Sequence, residues 1–182
     1  PQFSKVERTI VVSLWGNIQE TISFDLINKC AELEGEYSTI DFNPSNPLQG
    51  RNALRNIRGV LDSNVHTLNI RDEVGNVTRP LAYRESDKVM LNFIPRFSLF
   101  GNWKSSFEIS FNKRTNNILY VSDIENSYLI SDSINYLFPL VPAREYILNV
   151  CLPQGSVFRK EDVKYKFINR KEFRKVGLLD NE

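Results

Sequence analysis

Apolar and polar residues alternate from the first ten residues onward. Val6, Arg8, Ile10, Val12 and Leu14 fall on one face of an extended chain, and Glu7, Thr9, Val11 and Ser13 on the other. Successive side chains of a strand point to opposite sides, so a period of two marks a strand with one buried face. The pattern recurs at Val89/Leu91/Phe93, Phe107/Ile109/Phe111, Tyr146/Leu148/Val150/Leu152 and Val163/Tyr165/Phe167. Thr21 to Leu26, Val65 to Ile70, Val77 to Tyr83 and Ile118 to Val121 read as further, less regular strands. Turn chemistry punctuates them at Asn43-Pro44-Ser45-Asn46-Pro47, Gly75-Asn76 and Gly101-Asn102. Many short strands so separated predict an all-β fold, a β-sandwich of mostly antiparallel strands. One stretch departs from the period. Leu48, Ala53, Leu54, Ile57, Val60 and Leu61 approximate helical spacing behind Gly50-Arg51-Asn52, which predicts one short helix or helical turn over a sheet edge.

A chain of 182 residues with 41% hydrophobic and 12% aromatic residues suits one domain with an ample core. Residues 1–155 form the expected domain. From Ser156 the text changes: Lys160 to Lys175 interleaves charges with Tyr165, Phe167 and Phe173, so residues 156–182 are expected to hold a final strand near Val163–Ile168 and a charged tail. A net charge of +1 supplies no global attraction to phosphates, which argues against nucleic acid as a partner. No apolar run approaches the roughly 18 residues of a membrane span, and no signal-peptide segment precedes the first strand.

Catalytic chemistry is not legible. His66 is the single histidine and lies in a strand candidate, with no nucleophile motif around any serine. One histidine and two cysteines do not make the usual four-ligand zinc site, and no phosphate-cradling glycine motif occurs. Asp72 and Glu73 are adjacent, so on a strand they point apart and cannot converge on one substrate. They read instead as a hairpin in which Asp72 bonds the backbone and Gly75 takes positive φ, with a calcium or glycan contact as the alternative. Trp15-Gly16-Asn17 reads as a strand end with a tight turn. Pro95 to Lys104 supports two readings. Arg96, Phe97, Phe100, Trp103 and Lys104 could form a contact surface, with rings for a sugar or extended peptide and cations for carboxylates. Alternatively the segment is a corner whose three rings anchor the core while Arg96 and Lys104 are solvated. Asn76-Val77-Thr78 is the one Asn-X-Ser/Thr sequon, set in a predicted turn where a glycan could project into solvent.

Four segments together resemble one family. Arg71-Asp72-Glu73-Val74-Gly75-Asn76, Pro95-Arg96-Phe97-Ser98-Leu99-Phe100-Gly101-Asn102-Trp103-Lys104, Val6-Glu7-Arg8-Thr9-Ile10 with Trp15-Gly16-Asn17, and Leu152-Pro153-Gln154-Gly155 resemble, in the same order, segments of the ribophorin I family. Ser98 and Asn102 depart from that family's usual proline and glycine, and both still suit a turn. The resemblance implies a non-catalytic subunit of the oligosaccharyltransferase, here its second, membrane-proximal lumenal domain. It further implies the endoplasmic reticulum lumen as location, other subunits of the complex and nascent acceptor polypeptides as partners, no cofactor, and glycosylation at Asn76. A signal, a preceding domain and a transmembrane anchor are expected outside this chain. An oxidising compartment would permit a disulfide between Cys30 and Cys151; the other reading is two buried thiols packing as small hydrophobes.

Overall fold

The computed structural model describes residues 1–13, 15–37, 53–77, 81–116, 118–122, 127–132 and 137–157. Among these residues ten strands follow in chain order: β1 (Gln2–Val12), β2 (Asn17–Ile27), β3 (Ile57–Asp62), β4 (Val65–Asp72), β5 (Leu81–Glu85), β6 (Lys88–Phe93), β7 (Lys104–Arg114), β8 (Leu119–Ser122), β9 (Ser127–Ile130) and β10 (Tyr146–Cys151). They form a five-stranded sheet ordered β10-β1-β2-β7-β4, a three-stranded sheet ordered β3-β6-β5 and the hairpin β8-β9. Only the β1–β10 pair is parallel among the described strands. The all-β, mostly antiparallel architecture is therefore as the alternation predicts. Among the described residues no helix is long and apolar enough to cross a membrane.

The expected helix is not formed where the chain is described. Ile57–Asp62 is strand β3, with Ile57, Gly59 and Leu61 buried and Arg58 and Asp62 exposed. Ile57, Val60 and Leu61 fit helical spacing, but Ile57, Gly59 and Leu61 fit a period of two equally well. Pairing with β6 from Ile57↔Phe93 to Asp62↔Lys88 decides between them, and Val60 donates its amide to Leu137 O at 2.9 Å. The Leu48 to Asn52 part of that expectation, the turn at Asn43 to Pro47 and the final strand at Val163–Ile168 lie outside the described residues. Of the strand expected from Val77 to Tyr83, Leu81 to Tyr83 belong to β5 and residues 78–80 lie outside the described residues, while the Val77 amide donates to Ile70 O at 2.8 Å.

Phenylalanine dominates the main core. Phe24 and Phe107 stack at 5.0 Å across the β2–β7 pair, and Phe93 of the smaller sheet stacks on Phe107 at 4.0 Å. Phe3 and Phe138 close the group against Phe24 at 5.0 and 5.1 Å. Each such ring contributes about 1.5–3 kcal/mol through burial, so this cluster supplies much of the adhesion between the two sheets. A second, smaller cluster of Ile10, Val12, Ile18 and Ile118 sits further along the same face of the large sheet.

Charges separate the two clusters. Glu20 is 1% exposed; its Oε2 accepts from Arg8 Nε at 2.9 Å, and its Oε1 lies 2.8 Å from Lys113 Nζ. Arg8 also pairs with Asp132, just beyond β9, and Lys113 reaches Asp62 at the end of β3. Burial opposes the charge on Arg8, but Glu20 and Asp132 outweigh it and hold the guanidinium pKa above its ordinary value. Removing one member of such a set leaves the others buried and uncompensated. Glu20→Gln should therefore destabilise the protein by about 3–5 kcal/mol in urea unfolding. Glu7→Gln, in the solvent-exposed pair with Lys5, should leave the midpoint nearly unchanged. Equal midpoints for both variants would mean that the buried set contributes no stability.

Candidate functional site

The two segments richest in family resemblance meet in space. At the end of β4, Asp72 Oδ1 accepts the amides of Val74 at 3.0 Å and Gly75 at 2.9 Å, and the Asp72 amide donates to Gly75 O at 2.9 Å. Gly75 has φ 151°, the positive value expected for it. The hairpin reading of Asp72-Glu73 is thus what the fold displays. Arg96, from the connection between β6 and β7, then grips the same carboxylate: Nε donates to Oδ2 at 2.8 Å and Nη2 to Oδ1 at 3.0 Å. Arg96 and, against some burial, the two amides hold the Asp72 pKa below the usual carboxylate range. Glu73 turns elsewhere and accepts the Ser106 amide at 3.0 Å. The adjacent carboxylates, one at the end of β4 and one in the turn after it, diverge onto different partners.

The segment from Pro95 to Trp103 is a corner between β6 and β7, built around Asn28 and Gly101. Asn28 is fully buried; its Nδ2 donates to Leu99 O at 2.8 Å, its amide to Trp103 O at 3.1 Å, and its carbonyl accepts from Asn102 N at 2.7 Å. A Cβ on Gly101 would stand 2.1 Å from the Ala31 carbonyl oxygen, so only glycine lets the two backbones approach. Asn102 has φ 65°, a left-handed position that asparagine tolerates. Leu99 and Phe100 are buried and Trp103 is partly buried, but Phe97 is 46% exposed. Phe97 thus departs from the core-anchor reading. Trp103 meets Phe100, Tyr37 and Phe97 at 5.3, 5.6 and 6.1 Å with interplanar angles of 65–70°. These rings pack edge to face on one another, with Phe97 and Tyr37 partly open to solvent. Of the two cations, Arg96 is engaged by Asp72, whereas Lys104 is exposed.

The remaining candidates are dispersed. His66 is exposed on the edge strand β4, with Nδ1 3.3 Å from Asn64 O. Trp15 is 94% exposed in the β1–β2 turn, where Gly16 has φ 78° and Ser13 donates its amide to Asn17 O at 2.9 Å. Asn76 is exposed beside the Asp72 turn, bridging to Arg71. Among the described residues no group of three or more His, Cys, Asp or Glu is placed to hold a metal. Both cysteine readings are corrected: Cys30 and Cys151 are free and exposed. Cys151 pairs with Val11, while Cys30 lies past Ile27, the partner of Gln2 at the other end of β1. Strand rise sets them about 25–30 Å apart, far beyond the roughly 7 Å limit for a disulfide. Asn28 and the Arg8–Glu20–Lys113 set escaped the sequence reading. Arg8 on an otherwise apolar strand face was the one visible signal of the latter.

Asp72 carries a lowered pKa in the folded state, so its contribution is present at neutral pH and is lost as pH falls below about 4. Asp72→Asn, which keeps an acceptor for the turn amides but loses the ion pair, should unfold at lower urea than the parent at pH 7. The gap should narrow as pH drops below about 4. A gap independent of pH would remove the ion pair from the explanation.

Residues 1–181 match a family model described as Ribophorin I. Dolichyl-diphosphooligosaccharide--protein glycosyltransferase subunit 1A of Arabidopsis thaliana is 31% identical over 175 residues, covering 91% of this chain and 28% of that protein. Subunit 1 of Caenorhabditis elegans is 32% identical over 176 residues, covering 96% of this chain and 30% of that protein. The chain thus spans less than a third of the length of these relatives. A solved M1 zinc metallopeptidase from Deinococcus radiodurans aligns with 67% of this chain and 21% of its own at 10% identity, with a TM-score of 0.35, too slight a likeness to argue from. With the match running almost end to end and the two signature segments joined in one corner, the chain belongs to the ribophorin I family.

Proposed function

We propose that this chain is a non-catalytic domain of an oligosaccharyltransferase subunit, lying in the endoplasmic reticulum lumen and supporting protein N-glycosylation by contact alone. It helps hold the complex together and keeps acceptor polypeptides near the catalytic subunit. The family match over residues 1–181 carries this reading, together with the relatives' names as glycosyltransferase subunits. The corner adds support: Asp72, Glu73, Arg96 and Asn28 bond to one another or to backbone, an arrangement suited to shaping a surface rather than to reacting. A scaffold of this kind acts by raising the effective concentration of what it holds, which needs area and rigidity but no nucleophile. The alternative, a free-standing carbohydrate- or peptide-binding sandwich, draws only on the exposed Phe97 and Tyr37.

Affinity purification of the tagged full-length protein from membranes should bring the glycosyltransferase subunits with it. Recovery of the protein alone would refute the reading. Asn76, exposed beside a rigid turn, is glycosylated in the native compartment. Endoglycosidase treatment should lower the mass of the native protein, and Asn76→Gln should abolish that shift. An unchanged mass in the parent rules the modification out.

A further inference from the structure

One cationic groove is assembled only by the fold. Lys29, Lys104 and Arg144 line a depression of about 460 Å³ on the outer face of the large sheet, where β1 begins, β2 ends and β7 begins. Ile27 pairs with Lys104 and Asp25 with Ser106, while the Arg144 amide donates to Phe3 O at 2.9 Å along the start of β1. All three cations are exposed, and none enters an ion pair among the described residues. Asp25 is the one carboxylate in the lining, and its Oδ1 already accepts the Ser106 hydroxyl at 2.8 Å. Glu73 stands beside the groove, its Oε1 accepting the Ser106 amide at 3.0 Å, so three cations face two hydrogen-bonded carboxylates and leave a local excess of positive charge.

The spacing selects the ligand. The segment carrying Arg144, then β1, β2 and β7, lie side by side, which places the backbones of Arg144 and Lys104 about 14 Å apart across the sheet. A single phosphate is far narrower than that. A bilayer surface favours cations that project, and these surround a depression. An extended polypeptide presents alternate side chains on one face about 6.8 Å apart, so carboxylates at positions i, i+2 and i+4 cover the same width. We propose that this groove binds an extended acidic polypeptide segment with carboxylates at alternate positions. The inference rests on the reading of the chain as a contact domain and gives that contact a chemistry. Lys104 closes the Pro95–Lys104 segment, so the groove adjoins the corner already described.

Fluorescence anisotropy with a labelled Glu-Ser repeat peptide, and a Gln-Ser repeat as control, tests this on the purified protein. The Glu peptide should bind, and the Gln peptide should not. Lys29→Ser, Lys104→Ser and Arg144→Ser combined should weaken binding at least tenfold with an unchanged thermal midpoint, since all three side chains are exposed. If that variant folds poorly, Lys104→Glu alone should weaken binding by a similar factor. Raising salt to about 0.3 M should do the same, because exposed charges are screened over less than about 8 Å there. Undiminished binding by the folded triple variant, equal binding of the Gln peptide, or displacement of the Glu peptide by millimolar phosphate would overturn the proposal. Co-purification with transferase subunits is read separately, so the groove and the contact-domain reading can fail independently.

Discussion

Glu20 lies between Arg8 and Lys113 in the middle of an apolar sheet face, and the arrangement around it depends on that position. Taking an ion out of water costs several kcal/mol, and the loss is recovered only where opposite charges meet in good geometry. Each strand that contributes a charge is therefore held to the register that completes the set. A slip of one residue on β1, β2 or β7 would turn the charge toward solvent and an exposed residue into the core. The set also reaches outward. Asp132 brings in the segment after the β8-β9 hairpin, and exposed Asp62 at the end of the smaller sheet reaches Lys113 from outside, so five parts of the chain meet around Glu20. On either side lie the phenylalanine-rich core and the small isoleucine and valine cluster, each complete without the other.

The Asp72–Arg96 corner works by the same logic nearer the surface. A short turn and a long connection are each poorly determined by their own contacts, and one carboxylate fixes both. Two of its hydrogen bonds shape the turn, and the other two capture the connection. Asn28 performs the equivalent task underneath, and Gly101 allows the backbone at Ala31 close enough for the bonds to Asn28 to form. The outcome is a rigid edge from which Phe97 and Lys104 project and beside which Asn76 is exposed.

These features agree with the proposed contact role. Asp72 and Arg96 are bonded to one another, Glu73 accepts the Ser106 amide, and Trp103 packs edge to face on Phe100. The positive charge left without a partner lies one step further along, where Lys104 joins Lys29 and Arg144. A locally charged surface beside a hydrogen-bonded corner agrees with the proposed role in holding other chains.

Much was legible before the fold was known. Alternation placed Ile22, Phe24, Phe107, Ile109 and Phe111 on strands, and Asp72-Glu73-Val74-Gly75 carried its turn in its own stereochemistry. Both signals depend on neighbours a few residues apart. The stretch from Ile57 to Leu61 was ambiguous at that range, since it fits two periods, and pairing with β6 chose the strand. The free and distant cysteines, the pairing of Arg8 with a residue 124 positions away and the convergence of Lys29, Lys104 and Arg144 had no local signature at all. The amino-acid sequence alone therefore determined most of the strands, their apolar faces and the Asp72–Gly75 turn, because those follow from short-range sterics and solvation. Only the tertiary structure decided which charges meet, which stay free and which surface remains open, because these depend on register between strands far apart in the chain.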